Sequence, residues 1–161
     1  MAHRFYKIIK IMRVVIQRVL NASVKVDERI ISEIGKGLLI LLGIENNDTV
    51  KDVDWLSSKI ASLRIFPDSN GIMNLSLSDI GGEALVVSQF TLTASTRKGN
   101  RPSYIRAADR ELAVPLYESF NIRLSELLRK DVKKGIFGAD MKVSLINDGP
   151  VTIIIDSKLK E

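Results

Sequence analysis

Ser88, Gln89 and Thr91 stand directly after the apolar run Leu85-Val86-Val87, in the text LVVSQFTL. Polar groups at the end of a buried strand are either satisfied termini or the floor of a site, because strand ends and the loops after them are where rigid scaffolds present chemistry. Neither hydroxyl has a histidine beside it to take its proton, so neither is an obvious nucleophile. The one histidine, His3, lies among the first residues, and cysteine is absent. That excludes a Ser-His-Asp triad, multi-histidine metal sites, thiolate nucleophiles and disulfides. Neither metal nor cofactor is expected, and any chemistry here must proceed without imidazole or thiol.

Two further segments carry functional chemistry. The loop RKGNRPSYIR holds Arg97, Lys98, Arg101, Tyr104 and Arg106, with no acid before Asp109. Four cations and an aromatic ring in ten residues suit a phosphate backbone, and equally suit a solvated loop face. The text INDGPVT places Asp148-Gly149 between apolar runs, which is a hairpin signal. Its Gly149-Pro150 bond has a second option, the cis form seen in about 5–6% of X-Pro bonds, which turns both carbonyls the same way. The glycine clusters at 35–37, 81–82 and 98–100 match neither a phosphate loop nor a dinucleotide fingerprint, and read as turns.

The elements that position these residues follow from periodicity. MRVVIQRVL and SVKVD read as β structure that turns at Asp27-Glu28 into RIISEI, a hairpin. GLLILLGI, eight residues without charge, reads as a strand buried on both faces. Val50, Val53, Leu56, Ile60 and Leu63 recur at helical spacing, with Asp48 or Thr49 as N-cap. A short strand near 72–75 and the strand EALVVSQF follow. A second helix spans about 111–130, with Leu116, Phe120, Leu124 and Leu127 on one face and Pro115 near its first turn. Two closing strands, MKVSLI and PVTIIID, flank the NDGP turn. The pattern predicts one compact α/β domain with curved, mostly antiparallel or mixed sheets and two main helices packed on one side.

Length and composition agree with that reading. The 161 residues suit one domain, and 45% apolar with 27% charged residues is ordinary globular composition. Of the net charge of +5, three units come from Arg4, Lys7 and Lys10 in residues 1–11, so the remainder is only mildly basic. That opening segment is interrupted by lysines and has no cleavage pattern, so it reads as an N-terminal extension. No membrane association is expected, and the cytoplasm is the expected location.

MRVVIQRV, LRIF at 63–66, MNL at 73–75, LVVSQFTL, KGNRPS and VSLINDGPVT together are similar to the D-aminoacyl-tRNA deacylases, in order, from Met12 to about Asp156. The pair SQFTL and NDGPVT carries the resemblance. It implies an extension over 1–11, a single deacylase domain over 12–161, and a homodimer that hydrolyses the ester between a D-amino acid and the 3′-terminal adenosine of tRNA. By resemblance Ser88, Gln89, Phe90 and Thr91 form the pocket floor, and Gly149 and Pro150, in cis, reach into the partner's pocket to reject L substrates. Asn147 and Thr152 belong to the same motif. Phe137 and Met141 line the adenosine pocket, Arg18 hydrogen-bonds to the cross-subunit loop, and Arg97, Lys98 and Arg101 meet tRNA phosphates. The family picture assigns activation of water to the substrate's own 2′-hydroxyl, with Thr91 as nucleophile the competing scheme, and it extends acceptance to glycyl esters. Two departures are the extension and Ile136, where many relatives carry a basic residue. The alternative from another class is a nucleic-acid-binding module on the same fold, without turnover.

Overall fold

The computed structural model describes residues 12–160; the 1–11 extension and His3 lie outside the described residues. The elements are β1 (Arg13–Val26), β2 (Arg29–Ile34), β3 (Gly37–Gly43), α1 (Val50–Ser62), β4 (Phe66–Pro67), β5 (Met73–Leu75), β6 (Glu83–Ser88), α2 (Arg110–Leu128), β7 (Lys133–Lys134) and β8 (Lys142–Asp156). A 3-10 turn, Phe90–Thr93, follows β6. β1 and β2 form the expected hairpin. Asp27 and Glu28 take φ of 48° and 65°, the left-handed pair that matches the twist of two antiparallel strands.

The main sheet runs β2-β1-β3-β6-β7, with β8 on the other side of β1. β3 and β6 are parallel, as are β6 and β7, and a helix lies in each connection, which makes the fold α/β. Thr49 caps α1 through a capping box with Asp52, satisfying two otherwise orphaned N–H groups. Val53, Leu56 and Ile60 are buried as the spacing requires, whereas Val50 in the first turn is 56% exposed. Asp109 caps α2. Pro115 sits in the second turn rather than the first, on the exposed side, where water can satisfy the carbonyl that loses its partner.

Both helices pack on one face of the sheet, against Val14, Ile16, Leu38, Ile40, Leu42 and Val86. The opposite face, Leu39, Leu85 and Val87, is covered by Val19, Ala22, Val24 and Ile34, with Met141, Val143 and Leu145 packed against them. β1 therefore serves both cores. Its inward parity inverts between Val19 and Ala22, where the β1–β8 register slips, because one extra residue moves every later side chain to the other face.

One expectation is overturned. The NDGP segment does not join two strands of a hairpin. β8 is one strand of 15 residues, and both its halves pair antiparallel with β1: Thr152 faces Gln17 and Asn147 faces Val19. Arg18 alone opposes residues 148–151, which bulge outward. A hairpin would reverse the chain, whereas a bulge keeps its direction and pushes the surplus residues out of the ladder. No helix among the described residues is long and apolar enough to cross a membrane.

Candidate active site

The end of β6 is locked to β3. Ser88 pairs with Leu42, and the Gln89 N–H donates to the Leu42 carbonyl at 2.8 Å. The chain then turns so closely over Gly43 that a Cβ there would lie 2.9 Å from Leu92 Cβ and 3.1 Å from the Gln89 carbonyl oxygen. Only glycine leaves that space. Thr93 is buried, and its hydroxyl donates to the Phe90 carbonyl at 2.8 Å. Two guanidinium groups hold the turn from behind: Arg13 Nη1 donates to Leu92 O at 3.3 Å, and Arg106 Nη2 donates to Thr93 O at 3.0 Å. Gln89 Nε2 donates to the Thr91 hydroxyl.

In front of this turn lies a cavity of ≈ 260 Å³. Leu42 and Ile44, then Ser88, Gln89 and Phe90, and then Phe137 to Met141 with Val143, form most of its wall. Phe137 is held between the Tyr117 ring, 5.7 Å away, and the Arg110 guanidinium, 5.6 Å away. Tyr117 donates to the Val86 carbonyl at 3.0 Å, and burial pushes its pKa up to about 12, so it remains a neutral brace. Asp140 is the one acid in the wall; it is exposed and 3.1 Å from Lys142. Such a cavity can align a neutral, partly apolar substrate and donate main-chain hydrogen bonds. It has no buried general base among the described residues, and no cluster of three or more metal-capable side chains occurs among them.

A second constellation is built on the bulge. Arg18, 9% exposed, donates through Nε to Asp148 O at 2.9 Å and through Nη1 to Ile65 O at 2.7 Å. The Asp148 carboxylate lies 3.6 Å from Arg18 Nε. Asn147 closes the bulge from the other side, its Oδ1 accepting from Val151 N at 2.8 Å and its Nδ2 donating to Thr152 Oγ1 at 3.0 Å. Gly149 has φ of 137°, and a Cβ there would lie 2.9 Å from both Arg18 Nη2 and Val151 Cγ2. The Gly149-Pro150 bond is cis. Both residues are exposed, and neither lines the cavity of its own chain.

Ser88, Gln89, Phe90, Phe137 and Met141 thus converge on one cavity, with Thr91 hydrogen-bonded at its edge. Arg18, Asn147, Gly149, Pro150 and Thr152 form a separate group. Arg97, Lys98 and Arg101 are exposed on the loop after the turn. Arg106 differs from them: it turns inward to the 3-10 turn and to Glu45, 3.7 Å away, so the cationic face has three members rather than four. Sequence reasoning missed the bracing roles of Arg13 and Arg106 and the close approach at Gly43. The glycine closing an uncharged apolar strand was the one local signal.

Comparison with known proteins gives a consistent result. The profile of a family described as D-Tyr-tRNA(Tyr) deacylase matches residues 15–156. A D-aminoacyl-tRNA deacylase of Flavobacterium psychrophilum is 66% identical over 150 residues, 93% of this chain and all of that protein. One from Porphyromonas gingivalis is 63% identical over the same share. Among solved structures, one described as c-Myc DNA Unwinding Element Binding Protein superposes with a TM-score of 0.85 at 44% identity, covering 89% of this chain and 97% of that one. A probable eukaryotic D-amino acid tRNA deacylase superposes at 0.79 and 16% identity, covering 91% and 99%, which is a likeness of fold.

Proposed function

Since the chain belongs to the D-Tyr-tRNA(Tyr) deacylase family, we propose that it hydrolyses the ester joining a D-amino acid to the 3′ end of tRNA, releasing the free amino acid and tRNA. The observation that carries this reading is the cavity itself. It offers Ser88, Gln89 and the start of the 3-10 turn, and no buried general base. An aminoacyl ester is already activated, so it needs an aligned water and a stabilised oxyanion more than a strong base. The first N–H groups of a helical turn have no acceptor within it. Here they belong to Phe90 and Thr91, and one such donor contributes about 2.7–4 kcal/mol to an oxyanion transition state.

In this scheme the 2′-hydroxyl of the terminal ribose activates the water. The water oxygen attacks the ester carbonyl carbon, the carbonyl electron pair moves onto oxygen and is held by the main-chain donors, and collapse expels the ribose 3′-oxygen, which takes up a proton. Thr91 and Ser88 orient the reactants. Phe137 and Met141 receive the terminal adenine, and Arg97, Lys98 and Arg101 meet phosphates farther along the RNA.

Handedness is sensed by the bulge. Two copies of the chain form a homodimer in which each Gly149-Pro150 segment enters the cavity of its partner, an exchange that two-fold symmetry makes reciprocal. The exposure of that segment, and its distance from any role in its own cavity, support this arrangement. The Gly149 and Pro150 carbonyl oxygens, on a bulge braced by Arg18 and Asn147, leave no room for an L side chain, whereas a D side chain points outward. Because this filter works by exclusion, it also admits glycyl esters. The reaction belongs in the cytoplasm, where aminoacylated tRNA is present.

The test is a paired assay of D-Tyr-tRNA and L-Tyr-tRNA, each with a native and a 2′-deoxy terminal adenosine. Turnover of the native D ester alone is expected. Salt-sensitive RNA binding with no ester cleavage would replace this reading with a non-catalytic nucleic-acid-binding function.

A further inference from the structure

The lip of the cavity continues into an exposed apolar surface. Phe90 lines the cavity yet is 57% exposed, and its ring meets Tyr104 edge-on, with centroids 5.0 Å apart and planes at 73°. Tyr104 is 38% exposed and Ile105 beside it 83%. Water is a poor neighbour for a pair of packed, exposed aromatic rings with a further exposed apolar residue next in the chain.

The backbone under this surface is held firmly. Ser95 and Ser103 exchange two main-chain hydrogen bonds of 2.9 Å, and Ala107 N donates to Tyr104 O at 2.9 Å. Asn46 holds the next two carbonyls, its Nδ2 donating to Ile105 O at 3.2 Å and its N–H to Arg106 O at 3.1 Å. Arg106 ties the same segment back to the 3-10 turn. The aromatic pair is therefore fixed relative to Ser88 and Gln89. Beyond it, the same loop carries the exposed Arg97, Lys98 and Arg101, with no acid from residue 97 to residue 108.

The molecule thus presents a small cavity, a fixed aromatic platform at its lip and, along the same loop, exposed cations. A single-stranded nucleic-acid end has the complementary order: a terminal unit, a planar base, and phosphates. Aromatic side chains beside a cationic track are how single strands are held, because every base has a π face. Resting on the deacylase reading above, we infer that Tyr104, supported by its T-shaped contact with Phe90, is the stacking platform for the base of the nucleotide that precedes the terminal adenosine. Tyr104 is then a specificity determinant for RNA-borne over free aminoacyl-nucleoside substrates.

Two measurements on the full-length protein test this. In the first, kcat/KM is compared for a D-tyrosyl RNA hairpin with a single-stranded 3′ end and for D-tyrosyl-adenosine, which lacks the preceding nucleotide. Tyr104→Ala should lower the ratio of hairpin to nucleoside at least about fivefold, mainly through KM, and Tyr104→Phe should restore it. In the second, an uncharged hairpin carries 2-aminopurine at the position before the terminal adenosine. Its fluorescence should be quenched on binding to the wild type and to Tyr104→Phe, but not to Tyr104→Ala. An unchanged ratio, a parallel loss on both substrates, or quenching that survives Tyr104→Ala would overturn the inference. A change in sedimentation on Tyr104→Ala would also overturn it, assigning the surface to contact between copies. Quenching by a wild type that cleaves neither ester would sink the deacylase reading and leave the stacking platform standing.

Discussion

The cavity beside Ser88, Gln89 and Phe90 is walled by β3, β6, the 3-10 turn and the segment before β8, whereas the Gly149-Pro150 bulge is held at its base by Arg18 and Asn147 and faces outward from an edge strand. The walls of the first region come from elements of one chain. The second has equally specific internal bonds, from Arg18 and Asn147, but nothing in its own chain to act on. Its exposure is what supports the proposed presentation of this segment to a partner. Under the proposed function the comparison teaches that alignment and selection are separable: the cavity would govern how fast an ester is cleaved, and the bulge which ester is cleaved.

The largest test of that separation is Gly43→Ala. Its methyl group would displace Leu92 and the Gln89 carbonyl, and a shift near 1 Å at reacting groups costs about a hundredfold in rate. Single-turnover kinetics should show that loss on D-Tyr-tRNA with selectivity retained and the circular dichroism spectrum unchanged. Arg18→Ala attacks the other region. Removing two charge-assisted hydrogen bonds should lower stability by about 2–3 kcal/mol in denaturant titration and reduce the D over L rate ratio about tenfold. If Arg18→Ala depressed D turnover as deeply as Gly43→Ala while leaving the ratio intact, the two regions would not be separable.

Thr91→Ala sharpens the cavity side. With the substrate's own hydroxyl activating water, turnover should fall by less than about tenfold; complete loss with RNA binding intact would make Thr91 the nucleophile. The smallest effect belongs to a group outside both regions. Asp48 accepts from Glu45 N at 2.6 Å, with Lys158 3.6 Å away, and burial pushes its pKa up from 3.8 to about 6. A folded-state pKa above the unfolded one means the native protein binds this proton more tightly. The associated stability is present below about pH 4 and is lost as pH rises through about 6. Thermal melts of Asp48→Asn and wild type should therefore diverge between pH 4 and 7, the wild type losing about 1 kcal/mol relative to the variant, with kcat at neutral pH unchanged.

Much of this molecule is legible locally. The Asp27-Glu28 hairpin, the Thr49 capping box, the apolar stripes of both helices and the polar residues closing β6 all rest on contacts within a few positions, where side-chain type and spacing decide the outcome. The NDGP segment is the instructive failure. Asp-Gly between apolar runs is a strong hairpin signal, yet the segment is a bulge because Arg18, 130 positions away, takes the Asp148 carbonyl and because both halves of β8 find partners along β1. Arg106 is local pattern's other blind spot: in sequence it is one of four loop cations that suit a phosphate track or a solvated face, and only the fold places Glu45 and Thr93 beside it.

The amino-acid order by itself therefore determined the element types, the absence of cysteine chemistry, the family, and the set of residues from which a site would be made. The tertiary structure alone decided that five of those residues share a cavity, that Arg18 and its neighbours form a separate projecting group, and that Arg13 and Arg106 brace the turn between β6 and α2. The reason is physical. Local pattern sets backbone preference within a turn or two, while cavities, bulges and braces exist only where distant segments meet and satisfy one another's carbonyls and N–H groups.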